Sequence, residues 1–370
     1  MTAKLLVIAP RLKLGTGPSN SLLFINYLHK LEPNIEIHVF YTEDLQTIEK
    51  LIRQNILVFF GKSLSRNHYA ISSMINKLVL RYNYNAIITI SPEYLILLSD
   101  RYLGKAVAIP QGTLELEYVK RKPIAFMSIP SHLEIFSIAR KLYAFLAISK
   151  CEYHRILKIY RPRRIALIYN PVDSAFFTIG KQKLQKSVNL NELRLLYVGV
   201  LARWKGVHRL IDWFPEIKKE FKNVKIDIVG SGPLEHYLRE KIKRLNFQKY
   251  ITLYGYIPHE NLPKLYEKAT LLITPSYSES FSIPVAEAAA TATPSVVRLT
   301  FALKEHVELG YAVGYHEDDA QQVVKAIDKA LDNYERLRIR GFNIAKTLFH
   351  AEKVAGRVLR VLSSIPVEQR

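Results

Sequence analysis

The sequence predicts an α/β protein made of two doubly wound domains in tandem. Three observations carry that reading. Short apolar runs alternate with longer stretches of helical spacing along most of the chain, which is the pattern of βαβ units and a parallel sheet. With 370 residues and 49% hydrophobic content, the chain can bury two ordinary cores. Over residues 174–190 the alternation lapses, because Lys181, Lys183 and Lys186 follow no clear period, and this segment reads as a linker.

In the first domain, residues 1–173, apolar runs at 5–9, 35–40, Leu57–Phe60, 86–90, 106–109, 144–148 and 165–169 read as strands. Asn20–Leu31 and residues 69–82 have the spacing of helices between them. The first strand-to-helix connection holds Gly15 and Gly17, which permit close backbone approach to a ligand, and Ser19, a good N-cap. Asn170-Pro-Val-Asp173 ends this set. In the second domain, residues 191–350, the strands are Leu193–Val198, Val224–Val229, residues 251–253 and Leu271–Thr274. Helices start near Val207, Pro233, Asn261 and Pro284, the last one rich in alanine. Residues 319–348 are helical, and Ala351–Ser363 is a final helix, so that residues 351–370 form a closing segment.

Composition bounds the function. Cys151 stands alone, which rules out an internal disulfide and fits a reducing, cytoplasmic setting. Residues 5–10 are too short for a signal core, and the best apolar window, 86–98, is interrupted by Pro92 and Glu93. A soluble or peripheral chain is expected. The formal charge of +20 is concentrated: residues 101–250 hold 29 Lys+Arg against 12 Asp+Glu, whereas residues 251–350 hold 10 against 12. A local basic surplus calls for an anionic partner (nucleic acid, membrane surface or phosphorylated ligand), unless it is only a solvated basic surface. Nucleic acid is the poorest of these, since the chain has no zinc spacing, no RNA-binding aromatic motif and no reading helix.

The chemistry-bearing stretch runs from Ser276 to Pro294, a strand end, a polar loop and a helix start. Glu279 lies in the loop and Glu287 on the helix, and a helix N-terminus after a strand is an anion site. Two carboxylates beside such a site suit a ligand with phosphates and hydroxyls; the plainer reading is two solvated glutamates on a good helix former. Other loops converge on the same rim, because ligands of open α/β sheets bind beyond the carboxyl ends of strands. Gly199 is followed by Arg203 and Lys205 at the next helix start, Gly230 ends a second strand, and Tyr256 follows a third.

Taken together, Asn170-Pro-Val-Asp173, the Gly199-to-Lys205 turn, Val-Gly230-Ser-Gly-Pro, Tyr-Gly-Tyr256-Ile and the two-glutamate stretch resemble the retaining family 4 type of GT-B glycosyltransferase. The match is strongest over residues 165–363 and architectural before that. The resemblance implies two Rossmann-like domains facing a central cleft, with the C-terminal helix crossing back to the first. It implies a nucleotide-diphosphate-sugar donor on the second domain and a glycan or lipid-linked acceptor on the first, at Gln111 and Gly112. Lys205, with Arg203, would hold the diphosphate and Glu279 the donor sugar. Gly15, Gly17, Gly199, Gly230, Tyr256, Ser280, Phe281, Ser282 and Ile283 would line the donor, with Glu287 on the ribose. Transfer would proceed with retention, through an oxocarbenium-like transition state, with no metal and no cofactor.

The chain departs from the family pattern in five places. Val200 stands where an arginine is usual, leaving Arg203 as its substitute. Glu-Gly-Phe-Gly is Glu279-Ser-Phe-Ser282, the glycine of Gly-Thr-Pro is Ala292, a glycine-rich loop is replaced by Leu299 to Glu305, and an acceptor-side histidine is absent. These departures admit an alternative, a degenerate module that binds a sugar nucleotide or a partner without turnover. Finally, Lys120, Arg121 and Lys122 precede Ile124, Phe126, Met127, Leu133, Ile135 and Phe136, which reads as a peripheral, membrane-facing surface for anionic lipid. Arg155, Lys158, Arg161, Arg163 and Arg164 form a second basic cluster that adds to it if it shares that face.

Overall fold

The computed structural model of the chain describes residues 3–9, 20–41, 56–60, 68–90, 92–111, 129–188 and 190–366. Gly15, Gly17, Ser19, Gly112, Lys120, Arg121 and Lys122 lie outside the described residues. The chain divides into two units, one of Met1–Pro171 with Ala351–Arg370 and one of Val172–His350.

In the first unit, β1 (Lys4–Ala9), β2 (Glu36–Tyr41), β3 (Leu57–Phe60), β4 (Ala86–Thr89), β5 (Ala106–Ala108), β6 (Ala144–Ala147) and β7 (Ile165–Leu167) form one sheet in the order β3-β2-β1-β4-β5-β6-β7. Every pairing is parallel. Its helices are α1 (Asn20–Leu31), α2 (His68–Tyr82), the short α3 (Asp100–Leu103), α4 (Ile129–Ile138) and α5 (Lys150–Tyr160). Helices on both faces leave the inner strands no solvated side, so β1 and β4 are nearly continuous apolar runs, with Leu6, Ile8 and Ile87 fully buried. At the carboxyl end of β6, Ser149 Oγ accepts from Glu152 N at 3.0 Å and caps α5.

In the second unit, β8 (Leu193–Val198), β9 (Val224–Val229), β10 (Ile251–Gly255), β11 (Leu271–Thr274), β12 (Ser295–Arg298) and β13 (Ala312–Tyr315) form a parallel sheet in the order β10-β9-β8-β11-β12-β13. The pattern of apolar runs identifies four of these six; β12 and β13 escape it because Ser295, Arg298 and Gly314 break up their apolar runs. Around the sheet lie α6 (Ser174–Leu184), α7 (His208–Glu220), α8 (Glu235–Arg244), α9 (Leu262–Lys268), α10 (Ile283–Ala290), α11 (Leu303–Glu308), α12 (Ala320–Asp332) and α13 (Tyr334–Leu348). The core joins Leu195, Tyr197, Ile226 and Ile228 of the sheet to Leu210 and Phe214 of α7 and Ile327 of α12. The last helix, α14 (Ala351–Ser363), belongs to the first unit and packs on α1. Just before it, Val172 N donates to Phe349 O at 2.7 Å, which holds the start and the end of the second unit side by side.

Residues 174–190 correct the linker expectation. Asp173 accepts from Ala175 N at 2.8 Å and starts α6, which is packed into the second unit rather than strung beside it. Its buried positions, Phe176, Phe177, Gly180 and Lys183, do follow a helical period. That period is hidden in the sequence because its last member is a lysine. Lys183 Nζ donates to Tyr266 O, Ala269 O and Thr293 Oγ1 at 3.0, 2.7 and 2.7 Å, so a polar head is satisfied inside the core. Gly180 is required by close approach: a Cβ there would stand 2.1 Å from Ala290 O and 2.8 Å from the Phe342 ring. Gly180→Ala is therefore expected to lower the unfolding free energy by about 1–3 kcal/mol through overpacking. Urea denaturation measures this, and an unchanged midpoint would contradict the packing of α6 against α10 and α13.

Candidate functional site

In the second sheet the strand order reverses at β8, whose neighbours are β9 on one side and β11 on the other. The connections leaving β8 and β11 diverge to opposite directions there, and the crevice between them is where open α/β sheets bind ligands. The loop after β8 runs through Gly199 into one tight turn, Arg203–Lys205, before α7. The loop after β11 runs from Pro275 to Ser282 before α10. Gly206 lets the two touch: its φ is +70°, and a Cβ would meet Pro275 O at 2.2 Å. Gly230 does the same between β8 and β9, where a Cβ would lie 1.9 Å from Gly199 O. Trp204 O accepts from Tyr277 N at 3.0 Å and completes the seam.

This seam brings together two residues 74 positions apart. Lys205 Nζ donates to Glu279 Oε1 at 2.6 Å, with the two side chains only 17% and 11% exposed. The ammonium also lies 4.5 Å over the Trp204 ring. Arg203 is on the same turn and is exposed. Glu279 is anchored through its main chain as well, since its carbonyl accepts from Ala302 N at 3.2 Å.

Behind Glu279 the loop is pinned by groups that carry no sequence signal. Phe281 is buried against the rings of His306 and Phe349. His306 Nε2–H donates to Phe281 O at 2.5 Å, while Tyr311 O–H donates to His306 Nδ1, which fixes one tautomer. Ser280 and Ile283 are half-buried, and Ser282 is buried with φ +77°, a left-handed conformation that favours glycine.

Glu287 is not the solvated glutamate of the plainer reading. It sits on α10 at 2% exposure, with Oε1 2.6 Å from His259 Nε2 and Oε2 accepting from Tyr266 O–H at 2.9 Å. Burial opposes a charge on His259, but the hydrogen bond and charge of Glu287 outweigh it and hold the imidazole above its ordinary range. Tyr256, just beyond β10, is 60% exposed on the same rim. The structure thus assembles Lys205, Glu279, Gly199, Gly230 and the start of α10 at one strand edge, with Glu287 deeper in the helix. In the first unit, Gln111 follows β5 and lines a small cavity of about 20 Å³ with Phe24, Ile109 and Asn170. Sequence reasoning missed His306, Tyr311, His259, Tyr266 and Tyr277; the only cue was that Tyr277 stands two residues before Glu279.

His306 gives this site a pH signature. Burial pulls its imidazole down to about 4 from an ordinary 6.5. A histidine whose folded value lies below its unfolded one supports the fold fully above the unfolded value, and that support fades as pH falls toward the folded one. Lowering the pH from 6.5 to 5 should remove about 2 kcal/mol of stability from this group alone. Chemical denaturation of the wild type and of His306→Gln at the two pH values measures the difference, and an equal loss in both would remove His306 as its source.

Residues 179–346 match the sequence profile of the family described as Glycosyl transferases group 1. An uncharacterised glycosyltransferase of Methanocaldococcus jannaschii is 32% identical over 152 residues, covering 39% of each chain. The alpha-monoglucosyldiacylglycerol synthase of Acholeplasma laidlawii is 27% identical over 130 residues, 35% of this chain and 32% of that protein. The matches thus span well under half the length of these relatives. Among solved structures, Anabaena HepE in complex with UDP and glucose superposes with a TM-score of 0.75 at 18% identity, covering 98% of this chain and 100% of that one. The profile of the glycosyl transferases group 1 family covers almost all of the second unit, and the superposition, which covers 98% of this chain, gives the fold as GT-B.

Proposed function

We propose that the chain transfers a sugar from a nucleotide-diphosphate-sugar donor to a glycan or lipid-linked acceptor, with retention of anomeric configuration. The observation that carries this reading is the Lys205–Glu279 pair, held at the switch point beside the first turn of α10. An ammonium has three N–H donors, and Glu279 takes one of Lys205's, which leaves the others for diphosphate oxygens. Arg203 on the same turn supplies a second cation where Val200 has none. The N-terminus of α10 adds its dipole to the stabilisation of the departing diphosphate. Charge lost from the sugar as the glycosidic bond stretches is thereby collected on a leaving group that the protein holds, and no metal or cofactor is needed in this scheme.

Glu279 then accepts hydroxyls of the donor sugar, while Glu287, oriented by His259 and Tyr266, keeps a second lone pair on each oxygen for ribose. Gly199, Gly230, Tyr256, Ser280, Phe281, Ser282 and Ile283 line the donor in this reading, and Gln111 lies on the acceptor side, while Gly15, Gly17 and Gly112 fall outside the described residues. HepE is described with UDP, so uridine-diphosphate sugars are the first probes. The degenerate-module reading is favoured by one observation, the serine in left-handed conformation at position 282.

The acceptor is assigned to a membrane lipid on what the first unit exposes. Leu133 and Phe136 on α4 are 66% and 60% exposed. Leu97, on the neighbouring turn against which α4 packs, is also exposed, and Leu97 N donates to Ser72 Oγ, one helical turn from exposed Tyr69. Ile135 and Arg155 do not belong to this surface. Ile135 is core because it faces the sheet side of α4, and Arg155 is buried because it pairs with the fully buried Glu152 at 2.7 Å. Lys158, Arg161, Arg163 and Arg164 remain exposed. Among the described residues, no helix is long and apolar enough to cross a membrane. The docking we propose is peripheral, on the cytoplasmic leaflet. The name of the Acholeplasma relative points to a lipid acceptor of the same kind.

Two experiments test this. Lys205→Ala and Arg203→Ala are each expected to weaken nucleoside-diphosphate binding by about 1.5–3 kcal/mol, and Glu279→Gln to slow donor turnover tenfold or more, about 1.4 kcal/mol of barrier. Calorimetry and donor-hydrolysis assays read these. Binding without turnover by the wild type would favour the degenerate module, and indifference to all three substitutions would displace the site. Separately, the protein should sediment with anionic but not neutral liposomes at low salt. Leu133→Glu with Phe136→Glu, or glutamates at Lys120, Arg121 and Lys122, should leave it in the supernatant. Equal recovery of the wild type with and without anionic lipid would move the acceptor to a soluble glycan.

A further inference from the structure

Glu279 is fixed by more than its ion pair, and the additional restraint converges on one side chain. Tyr277, two residues earlier in the loop, donates its O–H to Asp318 Oδ2 at 2.7 Å. The same carboxylate oxygen lies 2.8 Å from Arg209 Nη2, and Arg209 Nε donates to the tyrosine oxygen at 3.4 Å, which closes a three-membered ring of contacts. Arg298 lies over the Tyr277 ring, 4.2 Å from its centroid. The main chain of the same residue is held twice, by Trp204 O and by Thr300 Oγ1, which donates to Tyr277 O at 2.9 Å. Tyr277 is thus gripped from the turn after β8, the start of α7, the end of β12 and the segment after β13.

We infer that Asp318 and Tyr277 are positioning residues, and that their ring with Arg209 sets where Glu279 meets Lys205. The carboxylate joins two elements that the sheet places on either side of the switch point. Arg209 is on the first turn of α7, directly after the Arg203–Lys205 turn, and Tyr277 is on the loop that carries Glu279. A carboxylate that binds both a cation and a phenol fixes their separation, and with it the register of the two loops. Neither Asp318 nor Tyr277 needs to touch the ligand for this. The inference rests on the proposed glycosyl-transfer reading only for its catalytic consequence; the mechanical part stands on the contacts alone.

The test therefore reads both. Hydrogen exchange over residues 276–282 is expected to quicken at least about tenfold in Tyr277→Phe and in Asp318→Ala, with β8 and β9 unchanged. Asp318→Asn, which keeps an acceptor for the phenol, should restore much of the protection. With a donor that the wild type turns over, Tyr277→Phe should lower kcat about tenfold at unchanged KM. In a Glu279→Gln background it should cost nothing further, because the two act through one group. A merely structural role would lower both backgrounds alike. Unchanged exchange in Tyr277→Phe and Asp318→Ala overturns the inference, and so does an equal loss of kcat in the two backgrounds. Quickened exchange in a chain that turns over no donor keeps the positioning role and overturns the glycosyl-transfer reading instead.

Discussion

The second unit depends on the reversal of strand order at β8. Because β9 lies on one side of it and β11 on the other, the loops leaving β8 and β11 lie side by side at the switch point and are sealed together by Gly206 against Pro275. Side chains from both loops meet there, and the meeting is an ion pair 2.6 Å long that is largely shielded from solvent. Such a pair contributes little net stability, since desolvating two charges offsets much of their attraction. Its value is geometric. It fixes an ammonium and a carboxylate beside a helix N-terminus, which is the arrangement a charged, hydroxylated ligand requires.

That geometry is maintained with few glycines in the loops that carry it. Ser282, Ala292 and Phe301 have φ of +77°, +52° and +42°, so three departures from the glycine pattern fall where the backbone is still left-handed. A non-glycine residue in this conformation costs about 1–2 kcal/mol, and it persists only where the surroundings over-determine it. The surroundings are on hand. Phe281, next to Ser282, is clamped by His306 and Phe349, and Thr300, next to Phe301, is bonded to Tyr277. The backbone conformation is thus enforced by packing.

Three buried charged side chains in the two units each find polar partners. Lys183 satisfies carbonyls at the end of α9, Glu287 gathers His259 and Tyr266 at α10, and Glu152 binds Arg155 within the first turns of α5. A buried polar atom without a partner costs about 1–3 kcal/mol, so these residues select one packing over its near neighbours.

How much was legible in the sequence follows from the range of the interactions concerned. Apolar periodicity, glycines at strand ends and the Lys205 and Glu279 motifs are local signals, and they sufficed for two parallel α/β domains and for the loops that bring Lys205 to Glu279. What failed had a non-local cause. Residues 174–190 read as a linker because the acceptors of Lys183 are 83 to 110 positions away. Arg155 read as surface charge because its burial is a property of the first unit's core. The clamp on Tyr277 and the brace behind Phe281 were invisible for the same reason, since a histidine, a tyrosine and an aspartate scattered after residue 300 have no spacing that announces a common target. The sequence by itself determined the period of each element and therefore the fold class; only the tertiary structure decided which polar side chains were buried and which loops were tied together, because burial and hydrogen-bond partnership depend on what the sheet order brings within 3 Å.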